Sequence, residues 1–447
     1  MINENFNCII DYINCLIGDF LKIAFLTLGC KVNQYESEAM RRLFEERGYV
    51  SVSPEDNPDV FVLNSCTVTA ESDRKTRQTL RHFKRKYPEV VTVLCGCMAQ
   101  AFPKSAENLE EADVVFGNTD HSKIPDLVEE FLKTKKRMIA VEPHETGEIY
   151  KTPNICGFNE RTRAYMKIED GCNRFCSYCA IPYARGRVRS KDLVEIRREA
   201  EILGQNGYSE VVLVGINLSA YHFESYDICD VVASVAEIPK ISRIRLGSLE
   251  PDHITDEMLE RLAMVEKFCP HFHLSLQSGC DETLKRMNRH YDSEFYFDLI
   301  SRIRKKFPDA AFTTDVMVGF VGETEEEFQK SLEFVKRCKF SKCHVFSYSK
   351  REGTAAAKLL GHIENSVKQR RSAEMIAVAN ESQQEFLQSQ IGSTCEVIFE
   401  TLKDGYIEGY TKNYLRVRVE TDKPLTGESH HVKLLKVEQD YILGEIL

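Results

Sequence analysis

The chain of 447 residues has no tryptophan and no low-complexity tract, so its aromatic surface is built from 18 Tyr and 25 Phe. No stretch approaches the roughly 20 apolar residues of a membrane helix, and a hydrophobic content of 43% with 29% charge excludes collagen-like and wholly disordered readings. Positive charge is not in excess either. With 59 Lys+Arg against 69 Asp+Glu the net charge is −10, which argues against gripping nucleic acid with the whole surface, because phosphates call for clustered Lys and Arg. The first twenty residues, MINENFNCIIDYINCLIGDF, lack a basic n-region, and Glu4, Asp11 and Asp19 interrupt any apolar run, so they do not form a secretion signal. The expected location is the cytoplasm, where thiols stay reduced and available to metals.

Cysteine is what the chain has in quantity. Sixteen are too dilute for a disulfide scaffold and point to metal or redox chemistry. Two basic stretches also hide inside the acidic average. Arg74 to Lys86 (RKTRQTLRHFKRK) carries seven Lys/Arg and no acid, and residues 161 to 198 carry ten Lys/Arg against four acids.

Strand and helix patterns alternate along the first third. IAFLTL (23–28), DVFVLN (59–64), VVTVLC (90–95) and DVVFG (113–117) are short apolar runs of the kind buried parallel strands show, and each is followed by a polar or amphipathic stretch. This predicts a doubly wound parallel sheet over residues 21–142. Turn residues over 143–160 read as a linker. A second alternation then supplies six strands, AYMKIE (164–169), EVVLVG (210–215), SRIRLGS (242–248), HFHLSL (271–276), FTTDVMVG (312–319) and KCHVFSY (342–348), which predict a partial TIM-type (β/α)6 barrel over 161–378 with its chemistry on the loops after the strands. A long polar helix, about 364 to 390, leads into period-two segments that predict a small antiparallel β barrel over 379–447.

The cysteines fall into two constellations. Cys172, Cys176 and Cys179 form a CxxxCxxC in GCNRFCSYCAIPYARG, directly after the first barrel strand. Three thiolates at this spacing can hold three irons of a [4Fe–4S] cluster and leave the fourth open to a ligand; a zinc site would call for a further cysteine or histidine pair, and none lies nearby. Cys30, Cys66 and Cys97 each follow a predicted strand of the first sheet, so all three emerge at its carboxyl edge, where doubly wound folds place ligands. Cys95 lies two residues before Cys97, and on a continuing strand both would face the same way, so spacing alone does not choose between them. The other nine cysteines have no ligand spacing.

The CxxxCxxC loop, with Tyr178 before its last cysteine, resembles that of the radical SAM enzymes. Together with the three isolated cysteines, the motifs RLGSLEP, LQSGCDETLKRMNR and DVMVGFVGETEEEF and the terminal β domain, it resembles the methylthiotransferases of that superfamily over nearly the whole chain from Leu21. The segment GCKVNQYESE is similar to the branch acting on threonylcarbamoyl-adenosine, whereas branches acting on isopentenyl-adenosine or on a ribosomal protein aspartate carry other residues after GC. The resemblance implies two [4Fe–4S] clusters and two S-adenosylmethionine molecules. Cys172, Cys176 and Cys179 would hold the radical-generating cluster, and Cys30, Cys66 and Cys97 an auxiliary cluster bearing the sulfur that is methylated and transferred to carbon 2 of the adenine at position 37 of tRNA.

It further implies cofactor contacts from Tyr178, from Gly215 and Asn217 (the amino group of S-adenosylmethionine), from Ser248, Glu250 and Gln277, and from Val318 (the adenine). The β domain resembles the TRAM module, in which Phe399, Tyr406, Tyr410, Tyr414, Arg416 and Arg418 are expected to meet RNA. Because residues 381–447 hold 7 Lys/Arg against 12 acids, phosphate contact is expected mainly from Arg74–Lys86 and from Arg185, Arg187 and Arg189. Implied partners are the tRNA anticodon stem-loop, a reductant such as flavodoxin or ferredoxin, and a sulfur source, with no membrane. The rival readings are another sulfur-inserting or methylating radical enzyme and a non-catalytic RNA-binding iron–sulfur scaffold. Residues 1–20 precede the family pattern and are expected to be an idiosyncratic extension, with translation starting at Leu21.

Overall fold

Strands that are apolar on both faces need cover on both faces, and the N-terminal unit supplies it. A computed structural model of the protein describes residues 20–158 and 162–447, in two units. The extension expected over residues 1–20, with Cys8 and Cys15, lies outside the described residues except for Phe20. The first unit is a parallel sheet in the order β2 (Val50–Ser51), β1 (Lys22–Thr27), β3 (Val60–Ser65), β4 (Val91–Gly96), β5 (Val114–Phe116), β6 (Met138–Ala140). On one face, Met40 and Phe44 of helix Lys31–Glu45 and Val128 of helix Ile124–Thr134 pack on Ile23, Val62 and Val93. On the other, Leu80 and Phe83 of helix Ala70–Lys86 pack on Phe61 and Leu63, with the Phe61 and Phe83 rings stacked 3.7 Å apart. Helix Ala70–Lys86 starts where Thr69 accepts from Ser72 N–H, and its charges follow the helix dipole, with Glu71 and Asp73 in the first turn and Lys84, Arg85 and Lys86 in the last.

The larger unit carries the six expected strands, Arg163–Lys167, Glu210–Val214, Arg243–Leu246, His271–Leu274, Ala311–Val318 and Lys342–Ser347. The first three pair in parallel in one sheet. After Gly247 the third resumes as Ser248–Leu249 and joins the last three in a second sheet, so the barrel bends at Gly247. Five intervening helices begin on an Asp or Thr whose side chain accepts a backbone N–H of the first turn: Asp192, Asp227, Thr255, Asp292 and Thr324. Helix Asn365–Ser389 then runs across the expected boundary at residue 378 into a closed five-stranded barrel around Val397, Phe399, Val417 and Ile442.

Attachment of the small barrel corrects one expectation. Arg163, Glu210, Arg243 and His271 are the first residues of their strands, at the end of the large barrel opposite the cysteine loop. Arg163 lies 4.5 Å over the Tyr410 ring and Arg245 4.7 Å over the Tyr414 ring, while the His271 ring stacks on Tyr414 at 4.7 Å. Arg243 and Arg245 donate to the carbonyls of Tyr410 and Lys412, each at 2.8 Å. Tyr410 and Tyr414 are therefore half-buried against the large barrel, Phe399 is core, and Arg416 and Arg418 both pair with Glu408. Of the aromatics expected to stack on RNA, only Tyr406 presents an exposed ring.

Glu210 anchors this cluster, accepting from Arg245 Nε at 2.7 Å with Arg163 and Arg243 each 3.9 Å away. Burial pushes its carboxyl up, but the three guanidinium groups hold it below the ordinary value. Glu210→Ala leaves buried cations uncompensated and should cost about 3–5 kcal/mol, read as a lower melting temperature of the full chain. A melting temperature equal to that of the parent would contradict this account.

Candidate functional site

In the first unit, three strand ends deliver three thiols. Cys30 precedes helix Lys31–Glu45, Cys66 follows β3, and Cys97 opens helix Cys97–Ala101. The loops carrying Cys30 and Cys66 touch closely enough that a Cβ on Gly29 would lie 3.2 Å from Cys66 Cβ. A buried amide pair joins them. Asn33 donates to Asn64 Oδ1 at 3.1 Å and to Ser65 O at 3.2 Å, and Cys30 Sγ donates to Asn33 Oδ1 at 3.3 Å. Gly96 turns the chain at φ +94°, where a Cβ would fall 2.4 Å from Asn64 Oδ1, so only glycine fits.

That turn decides between the two neighbouring cysteines. Cys95 ends inside the core, its Sγ 4.0 Å from Met40 Sδ, whereas Cys97 leaves the strand and starts a helix. Spacing alone does not choose between them; the strand ends at Gly96, so Cys97 lies beyond it, where it is expected. Burial pushes the Cys97 thiol up to about 11, opposed by Arg185 and reinforced by Cys66, Glu36 and Cys30; burial likewise raises Cys66. Cys97 Sγ receives Arg185 Nε at 3.3 Å and Asn118 Nδ2 at 3.6 Å, and Cys66 Sγ receives Val68 N–H at 3.5 Å.

In the larger unit, the loop after the first barrel strand holds Cys172, Cys176 and Cys179. Gly171, at φ +88°, is required because a Cβ would fall 2.0 Å from Arg187 O, and the loop is tied by Cys172 N–H to Gly186 O at 3.0 Å. Each sulfur accepts an N–H: Cys172 from Arg174 N at 3.4 Å, Cys176 from Arg289 Nη1 at 3.3 Å, and Cys179 from Ile181 N at 3.4 Å. Arg289 is aimed by Glu250, 2.6 Å from its other terminal nitrogen. Burial raises the thiols of Cys172 and Cys179 to about 11 and about 12.

The remaining predicted residues fall into distinct places. Gly215 and Asn217 meet Glu169: Asn217 N–H donates to Glu169 Oε2 at 2.7 Å, and a Cβ on Gly215 would lie 2.6 Å from that oxygen. Ser219 links Asn217 Oδ1, at 3.4 Å, to Glu250 N–H, at 2.9 Å. Gln277 is buried at φ +68° with no hydrogen-bond partner for Oε1, and Ser248 is exposed. Tyr178 packs edge-on against Phe320, and Val318 is core.

Glu169 and Arg289 have site contacts that escaped the sequence reading, and Arg185, expected on phosphate, instead donates to Cys97 and Glu36. Glu169 showed only as an acid at the end of an apolar strand, and nothing in its spacing marks it. Its carboxylate is fully buried and its Oε1 has no hydrogen-bond partner. Of the arginines expected on phosphates, Arg185 is fully buried and Arg189 pairs with Asp170 and Glu148, which leaves Arg187 exposed. On helix Ala70–Lys86, Arg74, Arg81 and Lys84 pair with Glu71, Glu111 and Asp113, while Lys75, Arg85 and Lys86 are exposed.

Among the described residues no three His, Cys, Asp or Glu side chains are gathered as ligands of a single ion. An iron–sulfur cube asks for something else, because each thiolate binds a different iron and the sulfurs stand further apart. Cys66 and Cys97 are buried, Cys172, Cys176 and Cys179 half-buried, and each of these five sulfurs accepts an N–H, while Cys30 is exposed; thiolates supported by N–H donors suit an anionic cluster, so both donor sets fit one.

Comparison with known proteins agrees with this chemistry. Residues 166–335 match the radical SAM superfamily and residues 22–117 match the uncharacterized protein family UPF0004. The chain is 37% identical over 433 residues to the threonylcarbamoyladenosine tRNA methylthiotransferase MtaB of Bacillus subtilis, covering 95% of this chain and 96% of that one. It is 33% identical to a tRNA-2-methylthio-N(6)-dimethylallyladenosine synthase of Caldicellulosiruptor saccharolyticus, covering 94% and 92%. Among solved structures, the radical S-adenosylmethionine methyltransferase TsrM from Kitasatospora setae shares the fold at a TM-score of 0.56 and 12% identity, over 76% of this chain and 77% of that one.

Burial, then the nearby Asp170, raise the Glu169 carboxyl to about 8, against the N–H groups of Asn217 and Ile216. Folding thus favours its protonated form, and the stability this group contributes is lost as pH rises from its ordinary 4.5 to about 8. In cluster-free protein, Glu169→Gln should raise the melting temperature at pH 8.5 by about 2–4 °C and lose that advantage towards pH 4.5. Scanning fluorimetry that finds the same difference at both pH values would contradict the assignment.

Proposed function

The chain belongs to the methylthiotransferases of the radical SAM superfamily, and from that premise we propose that it adds a methylthio group to carbon 2 of N6-threonylcarbamoyladenosine at position 37 of tRNA. The observation that carries this reading is end-to-end similarity to an MtaB protein at 37% identity, with the donor-lined cysteine loops described above. Functionally we divide the chain into an extension (1–20), an auxiliary-cluster domain (21–142), a linker (143–160), the radical barrel (161–378) and a TRAM-like domain (379–447), working in the cytoplasm.

Cys172, Cys176 and Cys179 would hold one [4Fe–4S] cluster and Cys30, Cys66 and Cys97 a second. When bound, the first supplies a radical from S-adenosylmethionine, and the second supplies the sulfur that a further S-adenosylmethionine methylates. The protein's own groups orient and shield. Arg289, held by Glu250, donates to Cys176 Sγ and fixes that sulfur's direction. Glu169, with one oxygen fixed by Asn217 and the other unpartnered, offers a buried carboxyl beside the Gly215–Asn217 turn that the ammonium of S-adenosylmethionine would draw into its ionised form. Tyr178 closes the floor of the loop against Phe320. Lys75, Arg85 and Lys86 give tRNA phosphates an exposed basic surface. A reductant and a sulfur source complete the cycle.

Nucleoside mass spectrometry of tRNA from cells with and without the gene tests the substrate. Methylthio-threonylcarbamoyl-adenosine should disappear without it. Loss of the methylthio form of the dimethylallyl nucleoside instead would move the chain to the other tRNA branch, which the 33% relatives represent.

Anaerobic reconstitution should load about eight irons per chain. Replacing Cys172, Cys176 and Cys179 with Ala should halve that number and abolish cleavage of S-adenosylmethionine; iron that stayed at eight would remove the motif from the ligand set.

A further inference from the structure

Arg185 lies at the end of the short helix Ile181–Arg185, in the segment Tyr183–Arg185 that folds with the first unit. Its side chain and that of Glu36 are both fully buried. Nη1 and Nη2 donate to the two oxygens of Glu36 at 2.6 and 2.9 Å, and Nε donates to Cys97 Sγ at 3.3 Å. A guanidinium is a rigid plane, so the bidentate pair fixes the direction of the third N–H. Glu36 is anchored in turn on the helix that starts at Cys30. Asn118 adds a second donor to the same sulfur at 3.6 Å, while its own N–H is held by Gln100 Oε1 at 2.8 Å.

We propose that Arg185 is a positioning residue for Cys97, and that the Arg185–Glu36 pair sets the reduction potential of the auxiliary cluster. The proposal rests on the two-cluster reading above. A hydrogen bond to a ligating sulfur draws electron density from the cluster, and a nearby positive charge favours its reduced, more negative state. Glu36 cancels part of that charge. The two residues therefore act with opposite signs: removing the guanidinium lowers the potential, and neutralising Glu36 with Arg185 kept raises it. A purely structural role has no such sign, because loosening either partner would disturb the site in the same sense.

The test uses full-length protein with Cys172, Cys176 and Cys179 replaced by Ala, so that the remaining cluster alone is followed by redox titration with electron paramagnetic resonance. That parent should hold about four irons. Arg185→Met should shift the midpoint to a more negative value, Arg185→Lys should fall between it and the parent, and Glu36→Gln should shift the midpoint to a more positive value. Unchanged midpoints, or shifts of one sign in Arg185→Met and Glu36→Gln, overturn the proposal. If Arg185→Met takes up no iron because Glu36 has lost its bidentate partner, the sign of the Glu36→Gln shift decides. Loss of iron from both variants assigns the pair to folding and overturns it as well. A parent that holds no iron refutes the auxiliary cluster itself and with it this inference, whereas a loaded parent with unmoved midpoints refutes this inference alone.

Discussion

Parallel strands all point one way, so every loop that follows a strand leaves from the same edge, and every residue that begins a strand sits at the other. The first sheet and the large barrel are both organised by that polarity. Cys30, Cys66 and Cys97 leave the carboxyl edge of the first sheet, and the CxxxCxxC loop, Glu169, the Gly215–Asn217 turn and Glu250 leave the carboxyl ends of the barrel strands. The amino ends of the barrel strands are free for structural work. There Arg163, Glu210 and Arg243, with Arg245 two residues further on, form a buried ionic cluster that carries the small barrel.

The same few side-chain types do different jobs on the two edges. At the carboxyl ends, arginines donate to sulfur and are aimed by a glutamate: Arg289 by Glu250 in one unit, Arg185 by Glu36 in the other. At the amino ends, arginines donate to carbonyls and lie on tyrosine rings. In each place a planar cation uses its edge for direction and its face or remaining nitrogens for packing, which an ammonium cannot do. Glycines serve the carboxyl edge. Gly96 and Gly171 stand at positive φ where a side chain would strike a neighbour, and they let the chain turn sharply enough to present Cys97 and Cys172.

The strands, the barrel and the grouping of six cysteines past strand ends were legible in the sequence because each leaves a pattern. Apolar runs of strand length and cysteines just past them repeat often enough to be read. Single charged residues leave none. Glu169 looks like any acid at the edge of an apolar run, Arg185 looks like a member of a basic stretch, and Arg289 is unmarked in LQSGCDETLKRMNR, yet each side chain is buried at a site. Alternation in the terminal β segments shows that one face of each strand is apolar, but not that the opposite face of Tyr410 and Tyr414 is covered by Arg163, Arg245 and His271. The choice between Cys95 and Cys97 turned on one backbone angle at Gly96.

The docking of the small barrel bears on how this protein can be cut into pieces. Its strands and the turn at 412–415 supply the carbonyls of Tyr410, Thr411 and Lys412, the carboxylates of Glu396 and Glu400, and the rings of Tyr410 and Tyr414, which together meet Arg163, Arg243 and Arg245 of the large barrel. A chain ending before residue 394 would keep those arginines with Glu210 as their one shared carboxylate and lose their other acceptors, exposing an excess of positive charge on the floor of the barrel. The last fifty or so residues are thus less an appendage than the base plate of the large barrel.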